Sequence, residues 1–74
     1  MTQQTALLYF EAQYEDRESA FGKLHLAEGA ARQWLEEHHP DALTLVLYSD
    51  PDYTDILMWS GPPHPNKPRR WMAV

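Results

Sequence analysis

The sequence predicts a small α+β domain: an antiparallel sheet of ββαββ order, one helix packed on one face, and a C-terminal segment able to add a fifth strand. Three observations carry this. Residues 27–38 place Ala27, Ala30, Ala31, Trp34, Leu35 and His38 at the i, i+3, i+4, i+7 spacing of one helix face. Residues 42–48 and 54–60 instead alternate, as half-buried strands do. Finally, 74 residues without cysteine can form only one small core, with no disulfide or thiolate metal site to reinforce it.

In chain order, residues 5–14 have strand propensity. Leu8, Phe10, Ala12 and Tyr14 fall on one side, read as core, and Tyr9, Glu11 and Gln13 on the other. Residues 15–19 form a charged turn. Residues 20–26 admit two readings. As a strand they pair with the first one and set Ala20, Gly22, Leu24 and Leu26 against Phe21, Lys23 and His25. As a helix, capped by Asp16, they extend the later apolar stripe backward, but Gly22 and Gly29 then both lie in a helix interior at about 1 kcal/mol each. The strand is the preferred reading, and it starts the helix near Ala27 with Glu28 in the first turn, where the dipole favours an acid. Pro40 ends the helix, since it disfavours helical geometry in the residue before it.

Leu43, Leu45 and Leu47 then alternate with Thr44, Val46 and Tyr48. Asp50-Pro51-Asp52-Tyr53 is a turn, and Ile56 and Met58 alternate with Leu57 and Trp59. These two runs should pair as a hairpin. Residues 1–60 form the body of the domain. Within 61–74, Pro62, Pro63, Pro65 and Pro68 make a stiff connector, and Trp71 and Met72 give the end of the chain a reason to return to the sheet.

One helix covers one face only. The expected core is therefore Leu8, Phe10, Leu43, Leu45, Leu47, Ile56 and Met58, which leaves Tyr9, Val46, Tyr48, Leu57 and Trp59 on the other face. A contiguous apolar patch of that kind marks an interaction surface. The readings weighed for it are a protein partner or a second copy, coverage by residues 61–74, and a small-ligand site. Glu11, Asp50, Asp52 and Asp55 would form an acidic rim, complementary to a basic target. Charge agrees: residues 1–60 hold eleven acids against Arg17, Lys23 and Arg32, a balance of −8, and residues 61–74 hold Lys67, Arg69 and Arg70, +3, for a net −5. An acidic body disfavours direct nucleic-acid binding and suits a basic partner, such as a nucleic-acid-processing complex.

Other chemistries lack their spacing. His38 and His39 are adjacent, about 100° apart on a helix, and no H-x-x-x-H occurs. A calcium loop counted from Asp50 would need glycine at Asp55 and glutamate at Gly61. Glu11, Glu15, Glu36 and Glu37 lie on expected wet faces, and no nucleophile motif or phosphate loop is present. No metal, cofactor or enzymatic activity is expected. Pro65 to Arg70 matches a P-x-x-P-x-R ligand pattern, for which a rigid connector is the ordinary explanation. No apolar run approaches the roughly 20 residues of a membrane helix, and the first residues lack the basic start and apolar middle of a signal peptide. A cytoplasmic location without membrane attachment is expected.

The order of elements over residues 5–60, with the acidic, cysteine-free, short format, resembles small phage inhibitor proteins, among them anti-CRISPR proteins and inhibitors of bacterial RNA polymerase. That resemblance implies a stoichiometric inhibitor of a host machine. A structural homodimer using the same face is the alternative.

Overall fold

A computed structural model describes residues 4–74. The expected absence of a signal sequence falls partly on residues 1–3, which lie outside the described residues. The elements are β1 (Ala6–Gln13), β2 (Ala20–Leu26), α1 (Glu28–His38), β3 (Thr44–Tyr48), β4 (Ile56–Ser60) and β5 (Trp71–Ala73). They build one antiparallel sheet in the order β2-β1-β3-β4-β5 with α1 across one face, an α+β fold. No helix among the described residues is long and apolar enough to cross a membrane.

Two rows of paired residues carry the helix-side layer. Phe10, Leu47, Met58 and Ala73 stand side by side across β1, β3, β4 and β5, and Ala12, Leu45, Ser60 and Trp71 form the adjacent row. Onto these α1 sets Ala31 and Leu35, with Leu8 and Leu24 completing the core and Trp34 and Trp71 packing at its margin. Leu35, Leu45 and Leu47 are fully buried, each contributing about 1.5–3 kcal/mol. His38, counted with the apolar stripe in the sequence, is exposed; it stacks on Trp34 at a centroid distance of 4.0 Å.

Residues 20–26 are a strand, paired along β1 from Ala6↔Leu26 to Ala12↔Ala20. That pairing requires a glycine opposite Phe10. The Phe10 ring lies over Gly22 so closely that a Cβ there would come within 2.5 Å of Phe10 Cε2. α1 starts after Ala27, which supplies no side-chain cap, and ends where the His39 N–H donates to the Leu35 carbonyl at 2.8 Å, one residue before Pro40.

Two expectations about the core are corrected. Leu43 precedes β3 and is 39% exposed, because the chain is still turning after Pro40 and buries Ala42 in its place. Ile56 and Leu57 also exchange faces. Between Leu47 and Tyr48 the pairing skips from Met58 to Ile56, a bulge that makes Leu57 the extra residue. Leu57 therefore packs against the helix-side core, and Ile56, paired with Tyr48, joins the far face.

The connector is fastened by Arg69, whose guanidinium donates to Ser60 Oγ (3.2 Å), Gly61 O (2.8 Å) and Pro40 O (3.0 Å). Trp71 Nε1 donates to Glu36 on α1 at 3.1 Å, so β5 is tied to helix and sheet together.

The glycines provide a matched test. Gly22→Ala should lower stability by about 1–3 kcal/mol, because the buried Phe10 ring must move. Gly29→Ala, on an exposed turn of α1 with nothing within 4 Å of the added carbon, should raise it by up to about 1 kcal/mol. Urea unfolding of the two variants reads both signs.

Candidate partner-binding face

The face opposite α1 is laid out by the same register. One row runs Phe21, Glu11, Val46, Trp59, Met72 from β2 to β5, and the next runs Lys23, Tyr9, Tyr48, Ile56. The structure brings Tyr9, Glu11, Val46, Tyr48 and Trp59 together here, and the bulge removes Leu57 from the set.

The face is not bare. In the β3–β4 turn Tyr53 takes a left-handed backbone, φ 57°, and lays its ring over the sheet. It meets Tyr48 at 5.1 Å, Phe21 at 5.2 Å and Tyr9 at 6.0 Å between centroids, edge-to-face in every case. Tyr48, expected to be exposed, is consequently buried at 7%, and Val46, also expected to be exposed and flanked by Glu11 and Trp59 in the other row, is buried at 5%. The cover comes from a turn residue and not from residues 61–74, although Met72 on β5 does lie beside Trp59. The β4–β5 half stays open: Trp59 and Ile56 are each 38% exposed, and at the opposite edge Phe21 is 57% exposed.

The acidic residues divide by role. Glu11 is half-buried and accepts the Tyr48 phenol at 2.9 Å. Burial, reinforced by this bond and the Glu11 charge, pushes the Tyr48 pKa up to about 12. Asp50 is the staple of its turn, accepting the Thr54 hydroxyl (2.6 Å) and the N–H groups of Asp55 (2.8 Å) and Thr54 (3.1 Å). The Thr54 hydroxyl and then the Asp55 N–H hold its carboxyl below the usual range. Asp55 accepts from Ser49 Oγ. Asp52 sits exposed in the turn. Asp50 is thus engaged in holding its own turn, and Asp52 is left to solvent.

Phe21, Tyr53 and Ile56 were missed as members of this face. Alternation sets Phe21 opposite Leu24 in its own strand, and only the register beside Glu11 together with the Tyr53 ring joins it to Tyr9 and Tyr48. An aromatic residue directly after Pro51-Asp52 was the available signal for Tyr53.

A second aromatic cluster closes the helix-side core where α1 ends. His39 packs on Phe10 (5.5 Å), Trp34 (6.1 Å) and Tyr14 (6.2 Å), and its Nδ1 is hydrogen-bonded to the Tyr14 hydroxyl. Arg17 lies over the Tyr14 ring at 3.9 Å and pairs with Asp41, tying the β1–β2 turn to the segment after the helix. Burial, followed by the neighbouring His38, lowers the His39 pKa, with Asp41 opposing. Among the described residues no group of three or more His, Cys, Asp or Glu side chains is placed to hold a metal ion.

Comparison of the chain with protein-family models, with curated proteins and with solved structures finds no match.

Two titrations follow from this geometry. The folded state binds a proton at His39 less readily than the unfolded chain, so the stability it contributes is complete above about pH 6.5 and is lost as pH falls through the lowered folded value. His39→Gln should flatten the decline in melting temperature between about pH 7 and pH 5. For Tyr48, removing its cover with Tyr53→Ala should bring the pKa down from about 12 toward the ordinary 10.0, read by ultraviolet titration of the phenols.

Proposed function

We propose that this protein is a small protein-binding regulator or inhibitor that acts by stoichiometric contact and not by catalysis. Its target presents a basic surface, as nucleic-acid-handling machines do. The observation that carries the reading is the uncovered part of the far face: with Tyr53 packed on Tyr48, Tyr9 and Phe21, Trp59 beside Met72 and Ile56 beside Tyr48 remain more than a third exposed. Exposed tryptophan on a rigid sheet is the side chain best suited to anchor a protein interface. The carboxylates of Asp52 and Asp55 beyond the same strand supply an acidic margin that steers a basic partner without a large net affinity. The domain's −5 charge is consistent with such a target.

Trp59→Ala should leave the fold intact, because the side chain belongs to the face away from α1, and should weaken capture of a basic partner at least about tenfold, equivalent to 1.4 kcal/mol. Capture should also weaken as salt rises. Unfolding of the variant would make Trp59 a core residue. Wild-type mass that doubles with concentration in sedimentation, abolished by the same substitution, would make the face a homodimer interface.

A further inference from the structure

The charge of this chain is segregated, and the structure gathers its positive part into one recess. The connector curves around a hollow of about 420 Å³ lined by His64, Lys67, Pro68, Arg69 and Arg70. No acid occurs in residues 61–74. Among the described residues the ion pairs within 4.0 Å are those of Arg17, so no carboxylate neutralises Lys67, Arg69 or Arg70 at contact distance. The nearest acids make their contacts with other groups, Glu36 accepting from the neutral Trp71 indole and Asp41 pairing with Arg17, and they reach Arg69 only through the longer-range effect of their charge.

Arg69 gives the recess its rigidity. Its three hydrogen bonds all go to neutral acceptors, the Ser60 hydroxyl and the carbonyls of Gly61 and Pro40. Its position is therefore set without a carboxylate in contact, although the charges of Glu36 and Asp41 act on it from further off, and two of the five guanidinium N–H donors make no hydrogen bond. Ser60 is fully buried, so the anchor is part of the folded body. Lys67 and Arg70 are exposed and line the same hollow.

We propose that this recess binds a single dianionic phosphate group, either inorganic phosphate or the phosphate of a small monoester. A fixed guanidinium beside an exposed ammonium and a second guanidinium matches the compact charge and several acceptor oxygens of such a group. A hollow of this size falls in the range of small-ligand sites. A nucleic-acid strand is disfavoured because residues 1–60, at −8, repel an extended run of phosphates. The site is separate in sequence from the Trp59 surface and does not depend on that reading.

The test is amide NMR titration of the full chain with inorganic phosphate, with adenosine 5′-monophosphate, with adenosine and with a short single-stranded oligonucleotide, at constant ionic strength. Saturable shifts confined to residues 61–70 and Pro40's neighbours, with a dissociation constant of about 1 mM or tighter, are expected for phosphate and the monophosphate and not for adenosine. Equal affinities identify free phosphate as sufficient, and tighter binding of the monophosphate identifies a monoester. Lys67→Gln and Arg70→Gln, both at exposed positions, should each weaken binding about fivefold or more while spectra elsewhere stay unchanged. The proposal is overturned by shifts that sodium chloride reproduces, by failure of both variants to weaken binding, or by an oligonucleotide that binds more tightly than either phosphate ligand.

Discussion

A single helix of eleven residues has to shelter a sheet of five strands, and the geometry of two layers lets it shelter one side. The helix side is solved by ordinary means: small residues, Ala12 and Ala31, let α1 approach, and Leu35, Leu45 and Leu47 fill the space between. The far side requires a separate solution, and the chain finds it within one turn. Asp50 captures the N–H groups and hydroxyl that follow it, which fixes the turn's path, and the positive φ at Tyr53 then aims a ring back across β3, β1 and β2. A tyrosine in that backbone region is uncommon and costs conformational energy. The three edge-to-face contacts it makes are what offset this cost.

The same turn explains why the exposed apolar surface is lopsided. Tyr53 reaches the strands on the β2 side of β3, and Trp59 and Ile56 on β4 are beyond it. The bulge at Leu47/Tyr48 sharpens the division, since it sends Leu57 inward and Ile56 outward. Two small backbone features thus decide which of the chain's many aromatic and aliphatic side chains meet solvent.

Much of the fold was legible because periodicity survives on its own. The helix at residues 28–38, the strand nature of residues 20–26, the hairpin turns and the α+β class all follow from spacing, from proline and from the cost of glycine in a helix. What escaped was anything that depends on register or order. Val46 and Tyr48 look exposed from alternation alone, because alternation tells sides apart and not what lies across them. Leu57 and Ile56 were assigned to the wrong sides because a bulge leaves no trace in a period-two pattern. Leu43 was misplaced because alternation was extended into residues still belonging to a turn. Of the expected set, Trp59, Asp52 and Asp55 are exposed, Glu11 and Asp50 are tied into the fold by hydrogen bonds, and Phe21, Tyr53 and Ile56 join the face only in three dimensions.

The short final strand has a consequence of its own. β4 carries Ile-Leu-Met-Trp, a sequence that as an open sheet margin would template the addition of like strands from other molecules. The three residues of β5, held in place through Arg69 and Trp71, pair with Met58, Trp59 and Ser60 of that strand. The proline linker and its arginine clip thus shift the margin of the sheet from a five-residue apolar strand to one of three residues, and a margin that short offers few backbone groups to a strand from another molecule.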